Sequence, residues 1–534
     1  MNLQGVQRRR ALKAAAAVSV SIGAGWPISG FTSEQPQRGG NVTYLSGRMP
    51  GVLVPAIEAT TGVSMIGAKI LEPLFILDYA GKLVPMLGLS FAASDAGQTF
   101  TVRLRPGVKW HDGQPFTSAD VAYSMTSVWK IFVTNQAFDL VKTIDTPAAD
   151  TVVFRLERPI SPDFFRATLA SPFVTVVPRH LYEGKDVRTN PVNARPIGTG
   201  PFKITQRVEN RYIVLERNPE YWQPQLPYLD RLTLQIMPDD SAAAAALEAN
   251  QAQLVPQSNI SIGDAKRLAD SPTVAITTKG NEGLGWFGTM LFNLSTPGLS
   301  DLRVRRAIAH AIDRQVIADS AFAGFAKAAA SIYPRDAHFF TKEGVPAYAV
   351  DLPKAKALLA DAGYGPGKKP LKLKLAFLPF NQGLVSGAEY IQQALSGIGI
   401  EVELIQRDSA GSIRNIYRDY NFDLAVTLAT ATADPAQSVS NYFWSKTIDK
   451  IPFHNASQYR SAEADSAIER LASEQDNARR VQVAAELQRI IMRDLPALPL
   501  VEMQYYQAYR RELQNVANTP TWVLGSWADL WIKK

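Results

Sequence analysis

The sequence predicts a mixed α/β or α+β protein in which helices and strands alternate along the chain. Three observations indicate this class: short runs that alternate between apolar and polar residues, segments with apolar residues at helical spacing, and turn or capping residues between them. A length of 534 residues predicts two to four domains. The composition, 46% hydrophobic and 20% charged, is typical of globular proteins. We find no internal repeat and no low-complexity linker, so we expect several chain crossings between the domains.

Local signals predict the individual elements in chain order. Residues 101–104 indicate a short strand that Pro106 and Gly107 close. Thr117 is expected to begin a helix, with Asp120 as its capping-box partner. Further spacing predicts helices over 304–312, 352–362 after the cap Asp351, 388–395 and 462–493 (two helices), and a strand over 401–404.

The first 32 residues are interpreted as an export signal. Arg8, Arg9, Arg10 and Lys13 precede an apolar run over 14–28, which is too short and too weakly apolar for a membrane span. Residues 7–13 resemble a twin-arginine export signal, and an ordinary secretory leader is the alternative. No later run offers 18 consecutive apolar residues. We therefore expect an exported, soluble protein that does not span the membrane.

The basic character of the chain comes mainly from this leader. The formal net charge is +7, and removing the four positive charges of the first 32 residues leaves +3. The other lysines and arginines are spread along the chain, so no nucleic-acid partner is expected. The sequence contains no cysteine, which excludes disulfides, cysteine-ligated metals, a thiol nucleophile and a lipid anchor on an N-terminal cysteine.

Catalytic and metal-binding motifs are not found. The chain has no G-x-S-x-G, H-E-x-x-H, P-loop or dinucleotide motif, and its five histidines are scattered singly. Gly198 and Gly200 could suggest a phosphate loop, but Pro201 removes an amide donor there. We therefore expect no catalytic residue, no metal site and no cofactor.

Residues 104–121, LRPGVKWHDGQPFTSADV, resemble the signature of the family 5 extracellular solute-binding proteins, with Trp110 in place of the usual phenylalanine. These proteins include the dipeptide- and oligopeptide-binding components of ABC importers. Other stretches resemble the family in the same order along the chain: 39–43, 196–202, 217–222 (RNPEYW), 292–294, 304–314 and 357–364.

The resemblance implies an α/β fold like that of periplasmic binding proteins of type II, cluster C. Two lobes would be joined by a hinge, with the large lobe split into two subdomains. The large lobe would comprise 38–278 and 506–534, with a subdomain inserted within about 60–190. Lobe II would comprise 279–505, with crossings near Lys279 and Tyr506. The family implies a monomeric, periplasmic substrate-binding component that delivers a small solute to an ABC permease and ATPase.

The resemblance also indicates where the solute would bind. Three segments are implied, one after the first strand, one at the start of lobe II and one after a later strand: Ser46, Gly47, Arg48; Trp286, Phe287; Thr430, Ala431, Thr432, Asp434. Exposed backbone groups there could pair with an extended ligand. The long 104–121 motif is instead interpreted as turn and helix-cap chemistry.

The solute is expected to be a di- or oligopeptide, although one residue argues against it. Peptide-binding relatives resemble one another in an aspartate that binds the α-amino group, and Ala431 lies at that place unless Asp434 substitutes. A saccharide, an opine-like conjugate or a nickel chelate are alternatives for the same role. A sensor or chaperone with this fold, and a periplasmic hydrolase, are alternatives of another class.

Overall fold

The computed structural model describes residues 35–133, 135–365 and 367–534, so the predicted export signal over 1–32 lies outside the described residues. All elements below belong to the unit Gln37–Lys534. The strands of the described residues are β1 Asn41–Ser46, β2 Phe75–Leu77, β3 Leu83–Pro85, β4 Gly88–Ser94, β5 Thr99–Leu104, β6 Val141–Ala148, β7 Thr151–Leu156, β8 Phe202–Val208, β9 Tyr212–Arg217, β10 Arg231–Ile236, β11 Leu254–Val255, β12 Val274–Thr277, β13 Trp286–Phe292, β14 Ala326–Ala328, β15 Leu371–Phe377, β16 Ile400–Ile405, β17 Leu424–Thr430, β18 Ala497–Met503, β19 Gln507–Arg510, β20 Leu513–Gln514 and β21 Trp531–Ile532.

The α-helices of the same residues alternate with these strands. They are α1 Thr61–Gly67, α2 Ser118–Tyr123, α3 Lys130–Phe132, α4 Gln136–Asp139, α5 Pro162–Leu169, α6 Arg179–Tyr182, α7 Asp240–Glu248, α8 Ile262–Ala269, α9 Leu302–Ala311, α10 Arg314–Val316, α11 Leu352–Asp361, α12 Gln382–Ser396, α13 Ser409–Ile413, α14 Pro435–Phe443, α15 Ala462–Ser473 and α16 Asn477–Asp494. π-helical turns occupy Ser124–Trp129, Ile317–Ala321 and Arg414–Arg418.

The elements predicted from helix caps and from the periodicity of apolar residues are confirmed. Thr117 and Asp120 form the capping box of α2, and Asp351 caps α11 by accepting a hydrogen bond from the Lys354 N–H. The strand predicted over 101–104 is β5, and the alternating run at 401–404 lies in β16. The helix predicted over 388–395 begins earlier, because Asn381 caps α12 through the Leu384 N–H.

Three larger sheets organise these elements. The seven-stranded sheet has the order β12-β19-β11-β1-β10-β9-β8, and the six-stranded sheet has the order β14-β18-β13-β17-β15-β16. The four-stranded sheet, β4-β5-β7-β6, is formed entirely by residues 88–156. The described residues also form two short ribbons, β2-β3 and β20-β21.

The chain passes twice between the seven-stranded sheet and the six-stranded sheet. It leaves the seven-stranded sheet after β12 and returns to it at β19, so the two crossings are residues 278–285 and 504–506. The sequence places its crossings near Lys279 and Tyr506, within or beside these segments. The lobe boundaries drawn from them stay a prediction.

Helix α5 packs on the four-stranded sheet through aromatic side chains. The ring of Phe165 stacks on that of Phe100 with centroids 4.3 Å apart, and it meets Phe154 edge-on at 5.4 Å. Each of these rings is fully buried, which stabilises the packing by roughly 2–3 kcal/mol per side chain. The helix therefore belongs structurally to the four-stranded sheet.

Candidate ligand-binding site

The ends of β13 and β17 bring together three of the residues that the sequence singled out. Trp286 begins β13 and pairs with Thr430 at the end of β17. The next residue, Ala431, donates its N–H to the carbonyl of Gly285 at 2.9 Å. Gly285 has φ +51°, and a Cβ there would lie 2.1 Å from the Ala431 carbonyl oxygen, so this approach requires glycine.

Residues 430–434, which we call the ligand loop, are fixed by their own hydrogen bonds. The Thr430 N–H donates to the hydroxyl of Tyr442 at 3.0 Å, and the Thr432 hydroxyl donates to the Asp434 carbonyl at 3.1 Å. Ala431 is only 7% exposed. The loop therefore presents a defined backbone in which the Ala431 side chain carries no charge.

The carboxylate of Asp434 is held by a buried arginine on α16. Its two oxygens accept hydrogen bonds from the Arg480 guanidinium at 2.8 and 2.9 Å, and one of them also caps α14 through the Ala436 N–H. Arg480 is fully buried, and Asp434 is 3% exposed. Asp434 thus fastens the ligand loop to α16, and Arg480 satisfies both of its oxygens.

Trp286 and Phe287 differ in what they can offer a ligand, because consecutive strand residues point to opposite faces of a sheet. Phe287 is 3% exposed and belongs to the core. Trp286 is half-buried and lies edge-on to the Tyr505 ring, with centroids 5.9 Å apart. Its indole N–H has no hydrogen-bond partner among the described residues. Of this pair, Trp286 is the side chain suited to ligand contact.

The third predicted segment lies at the end of β1 in the seven-stranded sheet. Ser46 is 7% exposed and its hydroxyl donates to the Arg48 carbonyl at 3.0 Å, while the Arg48 side chain is exposed. Arg207 holds the following chain by donating to the Pro50 carbonyl at 3.0 Å. Within the described residues, no hydrogen bond, ion pair or ring contact joins Ser46, Gly47 or Arg48 to the ligand loop. The structure therefore places these two predicted groups in different sheets.

Three residues of this region were not predicted from the sequence: Tyr442, Tyr505 and Arg480. Only Arg480 carried a usable signal. It shares one face of α16 with apolar residues at helical spacing, namely Val483, Ala484, Leu487 and Ile491. An arginine on an apolar face indicates a buried cation that needs a partner.

Two of the segments that resemble the family, 196–202 and 217–222, meet at a buried carboxyl and not at the ligand loop. Glu72 is 1% exposed and accepts hydrogen bonds from the Tyr221 hydroxyl at 2.7 Å, the Thr199 hydroxyl at 2.8 Å and the Trp222 indole N–H at 2.9 Å. Thr199 belongs to the segment 196–202, and the two aromatic residues belong to RNPEYW. These motifs therefore form a packing centre for the fold.

Burial makes this centre sensitive to pH. Desolvation raises the pKa of Glu72 to about 7, against the opposing effect of its three donors and of Arg105. The folded protein then binds a proton more tightly than the unfolded chain, so this group's contribution to stability falls as pH rises from about 4.5 through 7.

We expect Glu72→Gln to remove that pH dependence. The free energy of unfolding of the variant, minus that of the unsubstituted protein, should increase by about 3 kcal/mol between pH 4.5 and 8, because only the carboxyl ionises. Urea unfolding at several pH values measures this difference, and His111, whose pKa burial lowers to about 4, contributes equally to both proteins. A difference that is independent of pH would contradict a raised pKa at Glu72.

The described residues offer neither a membrane-spanning helix nor a cluster of metal ligands. No helix in that part of the chain combines the length and the apolar character needed to cross a membrane. No group of three or more His, Asp or Glu side chains there is arranged to hold a metal ion.

Comparison with known proteins identifies the family. Residues 82–450 match the family model described as bacterial extracellular solute-binding proteins, family 5 Middle. The chain belongs to this family, as the sequence motifs indicated. The family is one of transport substrate-binding proteins and not of enzymes.

Individual relatives agree with this assignment. The chain is 32% identical over 364 residues to a putative ABC transporter peptide-binding protein of Brucella melitensis, an alignment that spans 65% of this chain and 64% of the relative. It is similar to the ABC transporter substrate-binding protein CtaP of Listeria monocytogenes, with 26% identity, a TM-score of 0.80 and coverage of 93% and 100% of the two chains. It is also similar to AgaA of Agrobacterium tumefaciens R10 in complex with agropinic acid, with 25% identity, a TM-score of 0.77 and coverage of 93% and 99%. The predicted fold class, an α/β periplasmic binding-protein fold, is confirmed by these likenesses.

Proposed function

We propose that the chain is the substrate-binding component of an ABC importer and captures a small solute between two lobes. The observation that carries the proposal is the position of the ligand loop. Trp286 directly follows the crossing 278–285 and pairs with Thr430, so these two predicted site residues lie where the chain passes from the seven-stranded to the six-stranded sheet. Membership in the family and the likeness to CtaP support the same role.

The remaining parts of the role follow from the family. The protein would act in the periplasm as a monomer, after export by the twin-arginine or general route, and deliver the solute to a permease and ATPase. The large lobe would comprise 38–278 and 506–534, and lobe II would comprise 279–505. Binding would proceed without turnover, because the sequence offers no reactive constellation. Closure of the lobes would exclude water and strengthen the hydrogen bonds to the solute.

A di- or oligopeptide is the first candidate for the solute. The Brucella relative carries the description peptide-binding protein. An extended peptide would pair as an added strand with backbone groups of the ligand loop other than the N–H groups of Thr430 and Ala431, which are already bonded within the protein. The half-buried Trp286 ring would cover a ligand side chain.

A solute without a free α-amino group is the second candidate, and one observation favours it. Ala431 carries no charge, and both oxygens of Asp434 are bonded to Arg480. Neither residue therefore provides a free carboxylate for an ammonium group. AgaA, whose structure holds agropinic acid, shows that this fold accepts an opine, and saccharides or a nickel chelate belong to the same candidate class.

Mass spectrometry of the solute released by denaturing the purified protein tests the proposal. We expect a small solute bound in near-stoichiometric amount; peptides alone would support the first candidate, and an opine or sugar the second. Trp286→Ala should weaken rebinding of the recovered compound by about 10-fold or more. Ile131→Ala, at a side chain 57% exposed on α3, is the control and should bind normally. Unchanged uptake of that compound by cells lacking the gene would contradict the importer role.

A further inference from the structure

Two hydrogen bonds join the segment that precedes α5 to the end of α15. The backbone N–H of Ser161 donates to the Ala472 carbonyl at 2.8 Å. The side-chain amide of Gln475 donates to the Ile160 carbonyl at 2.9 Å. The Gln475 side chain also packs closely against Gly97, beside Ile160. A Cβ added at Gly97 would lie 2.7 Å from the Gln475 side-chain oxygen.

A third hydrogen bond joins α5 to α14, the helix that precedes α15. The side-chain amide of Gln437, on α14, donates to the Thr168 hydroxyl on α5 at 3.1 Å. Thr168 is fully buried and its own hydroxyl donates back to the Phe164 carbonyl. Helix α5 packs on the four-stranded sheet, whereas α14 follows β17 of the six-stranded sheet. All three bonds therefore connect parts of the chain that the proposed function assigns to opposite lobes.

We propose that these three hydrogen bonds form an interlobe latch that holds the lobes closed, including when no solute is bound. Each bond has its donor in one proposed lobe and its acceptor in the other, so the latch forms only when the lobes approach each other. It consists of few bonds, each of which can be exchanged for a bond to water at small net cost. A latch of this strength biases closure and still permits opening, as a transport receptor requires. The proposal rests on the two-lobe function proposed above.

The latch lies beside the ligand loop. Arg480 donates to the Leu471 carbonyl at 3.1 Å as well as to Asp434, so it fixes the last turn of α15 relative to the loop. Ala472, the acceptor for Ser161, is the next residue. Gln437 lies three residues after Asp434, in the first turn of α14. Arg480 is thus a positioning residue that connects the ligand loop to the closure contacts.

Ser161 offers a matched pair of substitutions. Its φ of −58° suits a proline ring, and Ser161→Pro would remove the N–H and place ring carbons where that N–H meets Ala472. Ser161→Ala keeps the N–H, and it removes only a hydroxyl that has no hydrogen-bond partner among the described residues. Gln475→Ala, at an exposed side chain, removes the second bond together with a local bond to the Ser473 carbonyl.

Distances between the lobes can be measured directly because the sequence has no cysteine. Lys142→Cys on β6 and Lys356→Cys on α11 provide exposed positions for two spin labels. Pulsed electron–electron double resonance then gives the distribution of distances between the labels without any solute. We expect Ser161→Pro to lower the ratio of closed to open protein roughly 5- to 10-fold and Gln475→Ala about 3-fold, the range for one hydrogen bond. Ser161→Ala should match the unsubstituted protein.

The latch is wrong if folded Ser161→Pro and Gln475→Ala both retain the parent distribution, and Gln475→Ala alone decides should the proline variant fail to fold. The outcome is independent of the test for function. Recovery of no solute would contradict the transport role and leave the distances valid, whereas unchanged distances would contradict the latch and leave solute binding intact.

Discussion

Replacing Arg480 with methionine is expected to lower the free energy of unfolding by about 3–5 kcal/mol, because it leaves the Asp434 carboxylate buried without a counter-ion. The guanidinium is fully buried, donates to both oxygens of Asp434 and donates a third bond to the Leu471 carbonyl. Methionine keeps an unbranched apolar stem in place of the aliphatic part of arginine, and it supplies none of these bonds. Urea unfolding at pH 7 measures the loss.

A second substitution separates the lost ion pair from lost packing. Asp434→Asn combined with Arg480→Met removes the stranded charge and keeps an oxygen to cap α14, so the double variant should recover about 1–2 kcal/mol relative to Arg480→Met. Arg479→Met, at a neighbouring side chain 69% exposed, is the matched control and should change stability by about 0.5 kcal/mol or less. Equal destabilisation in the single and double variants would contradict the stranded-charge explanation.

The elements that the sequence predicts correctly are those that local chemistry determines. The capping box of Thr117 and Asp120 and the cap Asp351 each satisfy backbone N–H groups within three residues. A carboxylate or hydroxyl at such a position performs the same task in any fold. Local patterns could therefore locate α2 and α11 without knowledge of their surroundings.

The interactions that the sequence analysis missed join residues far apart in the chain. Asp434 meets Arg480 across 46 positions, and Glu72 meets Tyr221 across 149. No spacing rule links such partners, because packing of separate elements decides which side chains meet. The apolar face around Arg480 indicates that it is buried, but nothing local to α16 names Asp434 as its partner.

The predicted site residues form two groups, and different features of the fold bring each group into place. Trp286, Thr430 and Ala431 meet because the register of β13 and β17 aligns them. Ser46 lies at the end of β1 in the other large sheet, so its relation to the ligand loop depends on how two lobes are disposed and not on any pairing of strands. Family resemblance could indicate both segments, whereas residue patterns alone could indicate neither.

Substituting alanine for Gly198 is expected to have an effect at least as large as the loss of Arg480. A Cβ at residue 198 would lie 1.7 Å from the Ile70 carbonyl oxygen and 2.5 Å from its carbon. Both atoms belong to the backbone, so no side-chain rotation relieves the overlap. The segment is already fixed there, because the N–H of Gly200 donates to the same oxygen at 2.8 Å. The sequence argues against a phosphate loop at Gly198 and Gly200. The structure shows that these two glycines allow one backbone segment to pass close to another.

Relief of this overlap would require the segment 198–200 to move away from Ile70, and Thr199 would then lose its bond to Glu72. We expect Gly198→Ala to cost about 4–5 kcal/mol or more, enough to unfold a marginally stable chain at ordinary temperature. Gly51→Ala is the matched control, because a Cβ there meets no heavy atom within 4 Å and the backbone is not left-handed. It should change stability by less than about 1 kcal/mol. Thermal unfolding compares the two variants, and equal midpoints would show that the close approach at Gly198 does not constrain the fold.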